Sequence, residues 1–140
     1  MTSKERGPGG LPTLLLLWIV LYLTGLGALD VQGSLEGLRI VVARSMVESG
    51  DWVVPSFAGE PYLLKPPLVN WAIAASGLVA GGFTAFVARL PSALAVLATA
   101  LLLVAWGRRR GAPRAGQVAG ILYLLLPLVF EKGIRAEIES

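Results

Sequence analysis

The chain has no cysteine and no histidine. Without cysteine there is no disulfide framework, and nothing here reports on redox compartment. Zinc sites of the Cys/His type are excluded, and the commonest general base is missing. Acid–base or metal chemistry must come from Asp, Glu, Lys, Arg or Tyr. A divalent cation held by carboxylates is the metal class left open. Charge is also sparse, at 15% of residues, whereas 55% are hydrophobic and the mean hydropathy is +0.71. Soluble domains run closer to about 45–50% apolar.

The apolar excess lies in blocks. Crossing a bilayer as a helix takes roughly 20 apolar residues, and two stretches meet that length: 11–29, which carries no charge, and 86–106. A shorter one, 116–130, contains Pro127. The basic cluster Arg108, Arg109, Arg110 and Arg114 directly follows 86–106. Arginines placed so are the mark of a cytoplasmic loop, and the net charge of +3 is not read as a nucleic-acid signal. The fold class expected is an all-α integral membrane protein with three transmembrane helices and amphipathic interfacial helices in its first outer loop. Residues 1–10 form a cytoplasmic tail. The first crossing is 11–29, preferred over a cleaved signal peptide because its apolar core is long and Gly27-Ala28-Leu29 is a poor cleavage site. Residues 30–85 form the outer loop, and 86–106 the second crossing. The basic loop spans 107–115, Pro127 kinks the third crossing at 116–130, and 131–140 begin a second outer loop.

Two helices are expected inside the first outer loop. Residues 34–49 put Leu35, Leu38, Val42, Ser45 and Met46 on one face. Ser34 is its N-cap residue and Gly50 its C-terminal stop. Glu36 and Arg39 are spaced to interact, as are Arg44 and Glu48. DWVVP reads as extended because Val54 precedes proline, and Gly59-Glu60-Pro61 reads as a turn. Residues 68–80 are apolar but about two-thirds of spanning length. A crossing there would leave the arginine cluster outside, so this segment reads as an interfacial or re-entrant helix anchored by Trp71 and Gly81-Gly82. Arg89 is expected to snorkel near the end of its span. Acids on a solvated loop ordinarily only solvate it. Glu36 and Glu139 depart from that reading, because a carboxylate close to the membrane is costly unless paired or used. Lys65, in LLKPP, reads equally as an anion-directed cation or as a lysine reaching lipid headgroups.

The ordered series ARSMVESGDWVVP, GEPYLLKPPL and ARLPSAL, with EKGIRAEIES at the end, resembles the first outer loop and following helices of bacterial GT-C glycosyltransferases that use polyprenyl-phosphate sugars. Those enzymes include aminoarabinose transferases and protein O-mannosyltransferases. The likeness covers nearly all of the chain after residue 25. It implies transfer of a sugar from a polyprenyl-phosphate donor to a hydroxyl or phosphate of lipid A, protein or glycan, with inversion, at the outer face of the bacterial inner membrane. An Asp-Glu pair supplies the family's catalytic carboxylate. Here that pair reads Leu35-Glu36, which assigns the base to Glu36 with Asp30 as its alternative. Glu139 stands at the place of the second outer-loop acid. The resemblance directs Lys65 to the lipid-linked phosphate. Arg39 and Tyr62 are the further substrate-binding candidates, although Trp52, Tyr62 and Trp71 read more readily as an interface belt than as a sugar-stacking platform. A phosphate leaving group already carries its charge, so a cation beside it and a carboxylate beside the acceptor hydroxyl are the groups required.

Family members continue for many more helices, so the chain is expected to be the N-terminal part of such an enzyme, inactive alone. The rival reading is a small non-enzymatic membrane scaffold or assembly partner. An ion or proton pathway is disfavoured, because no ionisable residue lies mid-helix in 11–29 or 116–130.

Overall fold

The computed structural model describes residues 10–27 and 34–136. It is nearly all helical. α1 (Gly10–Leu26) contains a π-helical turn at Ile19–Leu23. α2 (Ser34–Ser49) is followed by a minimal hairpin of β1 (Ser56–Phe57) and β2 (Glu60–Pro61). α3 (Leu68–Ala80), α4 (Ala85–Arg109), α5 (Pro113–Leu125) and α6 (Pro127–Gly133) complete the order. α4 is the one helix long and apolar enough to cross a membrane among the described residues. Of the three expected crossings, the second corresponds to this single helix. The third is two helices, α5 and α6, meeting at 65°.

Local chemistry explains the ends. The Thr84 side chain accepts from Val87 N–H and starts α4, while Arg108 and Arg109 in its last turn complement the helix dipole. Gly81 closes α3 in the left-handed region (φ +71°), with Gly82 N–H donating to the Gly77 carbonyl. Pro113 opens α5 at a position where its missing N–H costs nothing.

The membrane-type core joins α1, α4 and α5. Leu14, Trp18, Tyr22 and Leu26 recur every four residues along α1, opposite Ala93, Val96, Ala100 and Val104 on α4, with Leu124 of α5 completing the cluster. A stripe at four-residue spacing drifts by about 40° per step around a 3.6-residue helix. The wider π turn winds in the opposite sense to that drift and keeps Trp18, Tyr22 and Leu26 on one side. Trp18 Nε1–H donates to the Ala93 carbonyl (2.9 Å). α4 and α5 approach most closely at Gly107 and Gly116, where a Cβ on Gly116 would stand 2.9 Å from the Gly107 Cα and the Leu103 carbonyl.

The α5–α6 break follows from Pro127, which offers no N–H to the preceding turn. The Tyr22 hydroxyl donates to the Leu124 carbonyl (2.9 Å) and so satisfies one acceptor at the break. The Tyr22 ring also meets Phe130 edge-on, with centroids 5.7 Å apart.

α2 and α3 have the boundaries expected of them, but α2 is rotated. Leu35 is exposed, and Glu36, Arg39, Val42, Ala43 and Met46 are buried. Two loop readings also change. DWVVP is not extended: Asp51 Oδ1 accepts from the N–H groups of both Val53 and Val54 (2.9 Å each), which folds the strip into an Asx-type turn. The expected Gly59–Pro61 turn lies one residue earlier. Ala58 and Gly59 both have positive φ, as a two-residue hairpin turn requires, and Glu60–Pro61 are paired in β2.

Gly116→Val drives a side chain into the α4 backbone. Overpacking of this kind typically costs about 1–3 kcal/mol, and the expected result is a lower unfolding midpoint for the full chain in detergent, measured by helical circular dichroism.

Candidate functional site

Four distant parts of the chain converge at the Glu36–Arg89 pair. Placing it in the first turn of α2 and Arg89 in the second turn of α4 sets a carboxylate against a guanidinium in an apolar layer. Arg89 Nε donates to Glu36 Oε1 (2.7 Å) and Nη2 donates to Oε2 (2.8 Å). Arg89 Nη1 donates to the Leu26 carbonyl at the end of α1 (2.8 Å). Ala136 N–H donates to Glu36 Oε1 (3.1 Å). The two side chains are 1% and 2% exposed. Bidentate, charge-assisted geometry of this kind is the strong form of the interaction, and desolvation is offset only because further hydrogen bonds accompany it.

This geometry corrects two sequence expectations. Arg89 does not snorkel, because its guanidinium is turned inward and held by Glu36 and Leu26. Glu36 pairs with Arg89 across the fold instead of with Arg39 on its own helix. Both Glu36 oxygens are bound to protein donors, so an acceptor hydroxyl would reach the carboxylate only if the Arg89 pair opened.

Arg39 and Tyr62, two of the expected substrate-binding residues, are brought together. The Arg39 guanidinium lies 5.9 Å from the centre of the Tyr62 ring, within cation–π range. Both are buried. The Tyr62 N–H donates to the Pro55 carbonyl (2.7 Å), which holds the ring at the foot of the β1–β2 hairpin. Lys65 is half-buried three residues on, between Leu64 and the Pro66-Pro67 pair. Leu63 and Leu64 beside it are 72% and 81% exposed. Arg39 Nη1 and both amide atoms of the fully buried Asn70 have no hydrogen-bond partner. Asn70 was not singled out from the sequence, where one asparagine in an apolar helix gives little signal. Arg89 gave a usable signal, since an arginine inside an apolar segment is costly unless paired.

Asp30 and Glu139 lie outside the described residues, as does Glu137. No three His, Cys, Asp or Glu side chains gather to hold a metal among the described residues.

The model of the dolichyl-phosphate-mannose-protein mannosyltransferase family matches residues 64–140. The chain belongs to that family. Its match begins one residue before Lys65 and takes in Asn70 and Arg89. Its curated relatives include proteins named undecaprenyl phosphate-alpha-4-amino-4-deoxy-L-arabinose arabinosyl transferase. That of Aeromonas salmonicida (strain A449) is 33% identical over 130 residues, covering 89% of this chain and 23% of the relative. That of Shewanella sediminis (strain HAW-EB3) is 34% identical over 118 residues, covering 84% and 21%. The second such enzyme of Proteus mirabilis (strain HI4320) is 32% identical over 134 residues, covering 95% and 24%. The chain thus spans about a quarter of the length of the curated relatives it matches. No solved structure matches it.

Two measurements check this geometry. Arg89→Leu leaves the Glu36 carboxylate buried without its cation, and breaking one side of such a pair costs about 3–5 kcal/mol. The expected result is severe destabilisation in detergent, with the Glu36→Leu/Arg89→Leu double variant more stable than Arg89→Leu alone. Separately, the Val54 and Val53 N–H groups hold the Asp51 carboxyl below its ordinary value of 3.8. A depressed folded value means that the turn is stabilised above pH 3.8 and loses that contribution as pH falls through the lower folded value. The Val53 and Val54 amide proton shifts should titrate together with a midpoint below 3.8, and Asp51→Ala should abolish the transition.

Proposed function

We propose that this chain is the N-terminal portion of a membrane glycosyltransferase that moves a sugar from a polyprenyl-phosphate donor to an acceptor on the outer side of the bacterial inner membrane. The observation that carries the reading is the similarity to arabinosyl transferases along 84–95% of the chain. In this reading α1, α4 and the bent α5–α6 pair are the three crossings, with the N-terminus inside. α2 and α3 lie at the outer surface, and the acceptor is lipid A, a protein or a glycan.

Lys65 is the group we assign to the donor phosphate. It stands on a loop stiffened by Pro66-Pro67, and the neighbouring Leu63, Leu64 and Leu68 project outward. A cation ringed by exposed aliphatic side chains suits a phosphate attached to a long apolar chain. As the bond between the sugar's anomeric carbon and the phosphate oxygen breaks, that oxygen takes the electron pair and the ammonium stabilises it. Arg39, backed by the Tyr62 ring, adds a second cation on the α2 side. The acceptor oxygen attacks the opposite face of the sugar carbon, giving inversion, and its proton passes to a carboxylate. Asp30 and Glu139 are the carboxylates we assign to that step, with a divalent cation held between acids as an open variant. Glu36 would join them once released from Arg89. While paired, it positions the ends of α1 and α2 and the segment at Ala136.

Joining this chain to the remaining three quarters of the Aeromonas salmonicida relative gives a protein in which transfer is measurable. Lys65→Gln should weaken undecaprenyl phosphate binding by at least about tenfold, the usual scale for losing a charged hydrogen-bond partner, and lower kcat/KM accordingly. Leu35→Asp, which restores the acidic pair, should raise kcat. Unchanged donor binding and turnover in Lys65→Gln would remove Lys65 from the mechanism.

A further inference from the structure

The sharp hairpin between α4 and α5 carries a feature that sugar transfer does not use. Arg108, Arg109, Arg110 and Arg114 crowd the end of the one long apolar helix among the described residues. Two cavities meet there. One, of about 490 Å³, is lined by the side chains of Arg108, Arg114 and Gln117 and by the Gly111–Ala112 turn. The other, of about 270 Å³, is almost wholly apolar and is lined by Leu103, Trp106, Gly107 and Ala119. Ala112 and Ala115 border both. Through these shared small residues the two spaces adjoin. Arg110 is drawn over the Trp106 ring (5.5 Å) at the rim of the apolar cavity.

We propose that this paired niche binds one anionic phospholipid of the bilayer, with its phosphate headgroup beside Arg108 and Arg114 and an acyl chain along Trp106 and Leu103. Charge complementarity selects the headgroup, since each juxtamembrane cation favours an anionic lipid surface. The adjoining apolar space distinguishes a lipid from a free phosphate, which has nothing to place there. Trp106 is 60% exposed, so its indole is open to the chain that would lie along it.

The full chain is reconstituted in phosphatidylcholine bilayers containing a small fraction of lipid with brominated acyl chains, as either phosphatidylglycerol or phosphatidylcholine. Quenching of Trp106 is read as the difference between the wild type and Trp106→Phe. The expected result is stronger quenching by brominated phosphatidylglycerol. That preference should fall about fivefold in Arg108→Gln and in Arg114→Gln. It should persist in Arg109→Gln, which loses the same charge outside both cavities. Soluble glycerol phosphate should not compete. Equal losses in all three arginine variants would reduce the effect to diffuse surface attraction and overturn the niche. So would equal quenching by the two lipids in the wild type, or displacement by glycerol phosphate. All three arginines are exposed, and unchanged far-ultraviolet circular dichroism confirms that each variant folds. Lys65→Gln should leave the lipid preference intact, which separates this result from the donor assignment.

Discussion

The buried Glu36–Arg89 pair is the constraint on which the arrangement of the helices depends. The Arg89 guanidinium holds the Glu36 carboxylate and the Leu26 carbonyl, and that carboxylate ties α2 to α4 and to the backbone at Ala136. An ion pair this dry gains little over an apolar replacement, but half of it cannot be left alone. It therefore acts as a register pin. Moving α2 by one residue along α4 would strand two charges, whereas moving a purely aliphatic contact by the same amount would cost far less.

Around that pin the molecule separates into two layers. The aliphatic and aromatic stripe of α1, α4 and α5 supplies a continuous apolar body. Above it, α2 and α3 pack through small residues, with Ala43, Ile73, Ala74 and Ala88 meeting Ala136. The α2–α3 layer carries the Arg39–Tyr62 stack, the amide of Asn70 and the loop bearing Lys65. Trp71 donates to the Trp52 carbonyl and fastens the segment after α2 to α3. The chemistry proposed for the family is thus carried by the layer that depends most on tertiary contacts.

What the sequence discloses follows the range of the forces involved. Helices 34–49 and 68–80 are legible to the residue, because Gly50 and Gly81 are local stop signals. α4 is legible from its length and apolarity, and the family from the ordered motifs between Glu48 and Ala93. What the sequence conceals is set by partners far along the chain. The rotation of α2, which turns Leu35 out and Glu36 in, answers to an arginine 53 positions away. The Asx-type turn at Asp51 is local, yet it was hidden by reading Val54-Pro55 as extended when the aspartate side chain outweighs that preference. The hairpin turn was displaced by one residue, because an alanine at positive φ is not a residue a turn search favours. Of the site, Arg39 and Tyr62 were named without any sign that they touch, and Arg89 was named for the wrong environment.

The hydroxyl of Tyr22 that meets the Leu124 carbonyl has a consequence for assembly. The carbonyls released at Leu126–Pro127 are not all closed from within α5 and α6. One of them is closed by a residue 102 positions earlier. The bend is therefore a property of the docked pair and not of the segment that bends. During synthesis α1 is in place long before α5 emerges, so the donor waits for its acceptor. Until the two meet, the Leu124 carbonyl has no such donor in an apolar surrounding. α1 acts in this way as the template on which the α5–α6 pair turns its corner.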